Sequence, residues 1–416
     1  MRIGSKISLY TVTLLFLTVS LIYIFPNQLK FTLSTIKDVG SQLASVILSH
    51  NFKTVAQIKK NYELALLDPT KKVRILLVPG HNPGYGGAEF KNVKERNLTV
   101  ELAEELKQFF QNDERYDVLI TRNNIAWLPE FETYFKDHRN EIKEWKKASR
   151  EEFSSLVNIG SVISFSPTVF HNNASSEGAV QLYGITKWSN ENDIDIIVHI
   201  HFNDNPRTRP SLPGVNSGFT IYVPAEQYGN SVSTKTIANN IFKRLEKYNP
   251  VSSLPGESAG IVDELALIAI GSNNTSDAVS MLIEYSYIYE PWLQNSDVKS
   301  LIIREMAYET YLGFQDFFNP AVSSNQQNDT LVLPHLWDKN LTETTISSAD
   351  VFALQTALMI ERVYPPPGKS KNDCPRDGKI GPCTRSALRA FQDKYKIQEE
   401  QGRIGSETRR ILSKNY

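Results

Sequence analysis

The chain has 416 residues, more than one ordinary domain of ~100–200 residues, and points to two or three. Its 45 Lys plus Arg against 46 Asp plus Glu leave a net charge of −1, which argues against a nucleic-acid binder held by phosphate contacts. With 41% hydrophobic residues, 22% charged residues and two cysteines, it is neither disordered, collagen-like nor a disulfide-dense mini-domain.

Residues 7–25 carry no charge and follow Arg2 and Lys6. Roughly 20 helical residues cross a bilayer core, so this stretch is long enough to span. No small-residue cleavage site follows Phe25, so residues 1–27 read as an N-terminal transmembrane helix rather than a signal peptide. Lys30 and Lys37 balance Arg2 and Lys6, so charge does not set the orientation. Residues 28–72 read as a connector, helix-compatible around 43–48 and 55–67 and ended by Asp68-Pro69.

Residues 73–78 form an apolar run that stops at Pro79-Gly80, which predicts a buried strand followed by a loop through Gly87. Leu98, Leu102, Leu106 and Phe110 then repeat on one face of an amphipathic helix. Strands are predicted at 118–120, 194–201, 219–223 and 279–284, and a helix at 234–245. This alternation predicts an α/β domain over 73–320 with a mostly parallel sheet flanked by helices. Residues 123–190 interrupt the rhythm. The charged stretch 130–152 and the polar stretch 161–176 predict an inserted, solvated helical excursion, with a lid or a surface for a protein regulator as the functional reading. The Ser/Asn/Gln-rich stretch within 321–345 reads as a linker. Residues 346–416 have their own helical periodicity and a short internal repeat: Asp377-Gly378-Lys379-Ile380-Gly381 and Gln401-Gly402-Arg403-Ile404-Gly405, each followed by a Thr three residues on. These features predict a small all-α C-terminal module. Cys374 and Cys383 flank a turn-rich loop, where a disulfide would suit an oxidising compartment; two free thiols are the alternative.

Candidate chemistry gathers at strand ends. His81 follows the first strand on a Gly/Pro loop. His199 and His201 lie two apart on a strand and so face one side. Glu95 opens the first helix, where the helix dipole also favours a carboxylate, and Glu89 is its nearby alternative. Glu284 ends an apolar strand, where a charge is costly without a partner. Two imidazoles and a carboxylate suit a zinc ion with an open water position, and a second carboxylate can handle protons.

These pieces, in order, resemble the zinc-dependent N-acetylmuramoyl-L-alanine amidases. The resemblance spans about 73–318. It rests on Pro79-Gly80-His81, the Glu95-Arg96-Asn97-Leu98 helix start, Leu119-Ile120-Thr121-Arg122, Asp195 through Asn203, Gly218-Phe219-Thr220-Ile221-Tyr222, and Met281-Leu282-Ile283-Glu284. It implies Zn2+ held by His81, Glu95 and His201, with Glu284 as catalytic glutamate. His199 stands where the family has Ser, which leaves His199 open as an alternative to His201. Residues 346–416 separately resemble the three-helix peptidoglycan-binding module, through Leu354-Gln355, Asp377 through Thr384, and Ala390-Phe391-Gln392. Together the resemblances imply a cell-wall hydrolase acting on peptidoglycan, held at the membrane by its N-terminal helix with the catalytic domain extracytoplasmic. A non-catalytic membrane-to-wall tether and a zinc peptidase acting on stem peptides are the alternatives.

Overall fold

The computed structural model describes residues 51–164, 174–205, 207–320, 330–338 and 346–416. The expected transmembrane helix, the first part of the connector and most of the linker lie outside them. Among the described residues no helix is long and apolar enough to cross a membrane.

The first helix, α1 (Val55–Leu64), starts at a capping box between Thr54 and Gln57. It does not behave as a free connector. Ile58 and Tyr62 are buried in the core of the sheet that follows. Lys53 pairs with Asp193 and, at 3.7 Å, with Asp195, while Asn61 Nδ2 donates to Asp195 at 3.3 Å. The α/β unit therefore begins some twenty residues before the first strand.

Six strands form one sheet. β1 (Val73–Pro79) lies between β4 (Tyr116–Ile120) and β5 (Ile196–Asn203), both parallel to it. β5 pairs in parallel with β8 (Val279–Tyr287). β8 then pairs antiparallel with β6 (Thr220–Pro224), which is parallel to β7 (Ile261–Glu264). The order is β4-β1-β5-β8-β6-β7, so the sheet is mostly parallel with one antiparallel pairing. A two-stranded hairpin, β2 (Glu89–Phe90) with β3 (Val93–Lys94), sits between β1 and the next helix.

The central strands are apolar at successive positions because both faces of the sheet are covered. On one face lie α2 (Glu95–Gln111), α6 (Ser231–Tyr248) and α7 (Ser296–Phe318), whose apolar sides join Ile75, Leu77, Val198, Ile200, Met281 and Ile283. The other face is covered by the region 123–190, which folds as α3 (Pro129–Asp137), α4 (Arg139–Asn158) and α5 (Ser176–Glu191). Val180, Tyr183, Ile185 and Trp188 of α5 pack with Leu76, Val78 and Ile197 of the sheet. The expectation of a solvated excursion is thus corrected. A sheet with apolar residues on both faces needs this cover, and each large side chain it buries contributes roughly 1.5–3 kcal/mol.

The C-terminal module has three helices, α8 (Ser348–Ile360), α9 (Pro382–Lys394) and α10 (Ser406–Asn415), around Leu354, Leu358, Leu388, Phe391 and Leu412. The internal repeat has a physical basis. Buried Gln355 accepts from Gly378 N at 2.9 Å and donates to Lys379 O and Thr384 Oγ1, each at 3.1 Å. One repeat later, buried Gln392 accepts from Gly402 N at 2.7 Å and donates to Arg403 O at 2.8 Å and Thr408 Oγ1 at 3.2 Å. Each glutamine ties its helix to the next turn, and Gly378 and Gly402 supply the positive φ that each turn needs. Cys374 and Cys383 are disulfide-bonded. The loop they close carries Arg376 into the α/β unit. Its guanidinium donates to Glu305 of α7, at 2.9 Å to Oε1 and also to Oε2, and lies over the rings of Tyr248 and Phe352.

Candidate metal centre

His81, Glu95 and His201 come together at the carboxyl ends of β1 and β5, with ligand-capable atoms all within 4.8 Å of one another. Glu95 Oε1 lies 2.8 Å from His81 Nε2 and 3.0 Å from His201 Nδ1. The imidazole rings meet edge to face with centroids 4.9 Å apart.

Each residue is held by local structure. Glu95 is the first residue of α2 and accepts on Oε2 from Ala88 N at 2.8 Å and on Oε1 from Phe202 N at 3.1 Å. Its own N–H donates to Ala88 O at 2.9 Å, so the 82–88 loop is closed onto the helix start. His81 adopts φ 68, a left-handed conformation that costs a non-glycine residue roughly 1–3 kcal/mol. Arg122 holds it there. This side chain is 1% exposed and donates to Pro79 O at 3.1 Å, to Gly80 O, to Arg96 O at 3.0 Å and to Thr99 Oγ1 at 3.1 Å. Two glycines leave room for the rings. A Cβ at Gly80 would lie 2.4 Å from His201 Cε1, and one at Gly87 2.8 Å from His81 Cδ2.

The electrostatics fit a ligand set. Burial lowers the His201 pKa below the ordinary imidazole value, so the ring is neutral near pH 7. Burial alone would raise Glu95, but the two histidines hold its carboxylate below its ordinary range. His81 Nε2 is buried and lacks an aligned hydrogen bond despite its closeness to Glu95. A lone pair aimed into such a cluster suits a cation. Two imidazoles with one carboxylate is a zinc-type donor set.

Glu284 stands on β8 directly opposite His201 in the ladder. Its Oε2 is buried without a hydrogen-bond partner among the described residues. Burial raises its carboxyl well above the ordinary range, and the charges of Glu95 and Glu257 act in the same direction. The two sequence alternatives fall elsewhere. Glu89 is exposed and pairs with Arg96 at 2.6 Å. His199 shares a strand face with His201 but lies one pleat deeper, buried, with a pKa lowered to about 3 by burial and by His201.

Two residues of this region carry no distinctive sequence signal of their role. Arg122 lies two residues past β4 and enters the sequence reading only as the end of the Leu119–Arg122 motif, with no role attached to it. Glu257 lies in a 3-10 turn, Pro255–Glu257, is 1% exposed, and meets Asn203, Tyr222 and Tyr287 from 54, 35 and 30 residues away along the chain.

Residues 347–412 match the peptidoglycan binding domain family. A comparison with curated protein sequences finds no match. Among solved structures, the chain is similar to the CwlD amidase from Clostridioides difficile in complex with the GerS lipoprotein, at 14% identity and TM-score 0.41 over 60% of this chain and 100% of that one. It is also similar to the N-acetylmuramyl-L-alanine amidase Ami1 from Mycobacterium smegmatis, at 13% identity and TM-score 0.38 over 60% and 97% of the two chains. A third is the catalytic domain of the N-acetylmuramoyl-L-alanine amidase CwlV from Bacillus (Paenibacillus) polymyxa var. colistinus, at 13% identity and TM-score 0.37 over 59% and 98%.

Proposed function

We propose that this chain is a zinc-dependent N-acetylmuramoyl-L-alanine amidase, cleaving the amide between the lactyl group of muramic acid and L-alanine of the stem peptide. The observation that carries the reading is the convergence of His81, Glu95 and His201 beside a half-buried Glu284 whose Oε2 is buried and has no hydrogen-bond partner among the described residues. The wall-binding match over 347–412 independently supports peptidoglycan as the substrate.

His81, Glu95 and His201 would hold the zinc ion. When bound, zinc acts as a Lewis acid on a water and on a carbonyl. The chain's own residues do the rest. The Ala88 and Phe202 amides keep the Glu95 carboxylate aimed at both imidazoles. Glu284, opposite His201 in the ladder, is placed to take a proton from the attacking water and return it to the leaving amine of L-alanine. That transfer forms a lactyl carboxylate and a free stem-peptide amine.

The substrate lies outside the membrane, so the reading includes an extracytoplasmic catalytic domain anchored by residues 1–27. Protease accessibility on intact spheroplasts checks that orientation. The activity is tested with Glu284→Gln on purified sacculi, with released stem peptides identified by mass spectrometry and zinc measured in the same samples. The expected result is at least a 100-fold loss of release with zinc retained, because general acid–base catalysis contributes about 10²–10⁴-fold. Retained release with zinc bound would overturn the assignment, and products cut within the stem peptide would overturn the choice of bond.

A further inference from the structure

The buried carboxylate of Glu257 enters the site description only through its charge on Glu284, yet its two oxygens accept four hydrogen bonds. Its Oε1 accepts from Asn203 Nδ2 at 2.8 Å and from Tyr222 Oη at 2.6 Å. Its Oε2 accepts from Ser252 Oγ and from Tyr287 Oη at 3.0 Å. A carboxylate only accepts, and here four neutral donors converge on it. Three of them are in the strands that carry or flank the site. Asn203 ends β5 two residues after His201. Tyr222 lies on β6, two residues after Thr220, which faces Glu284 across the ladder. Tyr287 ends β8.

The contact with Asn203 has a chemical consequence. The amide of an asparagine can turn over, presenting either its donor or its acceptor edge. Glu257 admits only the donor edge. Oδ1 must therefore face away from Glu257, and no described residue donates to it in this structure. The ladder shifts register between His201 and Asn203, and Asn203 then pairs with Tyr287, its carbonyl accepting from Ile288 N at 2.8 Å. Asn203 is half-buried and ends β5 beside His201.

We infer that Glu257 is a positioning residue that locks Asn203 with its amide oxygen toward the cleft, where it accepts a backbone N–H of the stem peptide. This rests on the amidase reading and adds a specificity element to it. The ligand class is an extended peptide with a free amide N–H, as opposed to the glycan.

The test is a double-mutant cycle in the full-length chain, using Glu257→Gln and Asn203→Ala, on a soluble muropeptide. Glutamine keeps the volume but offers Asn203 either edge. Glu257→Gln is expected to raise KM about tenfold, the size of one lost hydrogen bond to substrate, with zinc content unchanged. In the Asn203→Ala background the same change is expected to alter KM by less than twofold, because the group through which Glu257 acts is gone. Losses that multiply, or a fall in kcat at unchanged KM, would overturn the positioning role. If the Glu257→Gln variant does not fold, wild type and Asn203→Ala are compared on muropeptides methylated singly at stem-peptide nitrogens. Wild type should lose about tenfold at one position that the variant ignores; equal discrimination by both would refute the proposal. A wild-type chain that releases no stem peptide overturns the amidase reading itself, and the positioning role falls with it. Activity together with a multiplicative cycle overturns only the positioning role.

Discussion

Replacing Gly80 by alanine isolates the geometry of the proposed metal site. Gly80 does not need a positive φ, so alanine meets no backbone strain there and by itself would be neutral or stabilising by about 0.4–1 kcal/mol. The added methyl, however, would sit 2.4 Å from His201 Cε1, 2.5 Å from Nε2 and 2.7 Å from Nδ1. Ordinary contact begins at 3.4 Å, so the imidazole has to retreat by about 1 Å. Its Nδ1 then leaves the 3.0 Å contact with Glu95. Metal ligation tolerates deviations of only about 0.2 Å, and disturbed ligand orientation typically costs about 10- to 100-fold in affinity. Gly80→Ala should therefore lower zinc affinity by that factor, with metal-free stability within about 1 kcal/mol of wild type. Gly84→Ala, in the same loop, meets nothing within 4 Å and should leave affinity unchanged. Zinc retention against graded chelator, read by elemental analysis, measures both. A Gly80→Ala chain that binds zinc within twofold of wild type would show that His201 is not a ligand.

Other outcomes follow from the same structure. Arg122→Lys keeps the charge but not the planar fork that reaches the Pro79, Gly80 and Arg96 carbonyls, so the His81 loop should loosen. A loss of about 2 kcal/mol in chemical denaturation and weaker zinc retention are expected. Arg376→Met leaves Glu305 buried without its cation, at 0% exposure, and should cost about 3–5 kcal/mol; the double change with Glu305→Leu should recover most of it. Glu309, also on α7, has its pKa raised to about 8 by burial and by Glu305, against an ordinary 4.5. The folded state thus holds this proton more tightly than the unfolded state. Its contribution is present in full below about pH 4.5 and is lost as pH rises through about 8. Glu309→Gln should melt near wild type at pH 5 and several degrees higher at pH 8.5; a constant difference would refute the linkage.

Much of this protein is written in local pattern. The apolar run from Val73, the four-residue spacing from Leu98 to Phe110 and the turn at Pro79-Gly80 specify β1, its loop and α2, because those signals depend on near neighbours. His81, Glu95, His201 and Glu284 are visible for the same reason, since strand ends and helix starts mark where a parallel sheet collects side chains. The repeated Gly-(Lys/Arg)-Ile-Gly turns of the C-terminal module are local as well, and each is tied by a glutamine one helix earlier. Only the tertiary structure shows which of His199 and His201 lies beside Glu95, because both share one strand face and only the depth of the pleat separates the two rings. It also turned the charged region 123–190 into cover for the second face of the sheet, since its few apolar residues acquire meaning only against Leu76 and Ile197. The roles of Arg122 and Glu257 stayed hidden in the sequence, although Arg122 closes the Leu119–Arg122 motif. Each acts mostly through partners tens of residues away along the chain, and a charge with distant partners leaves no periodicity to read.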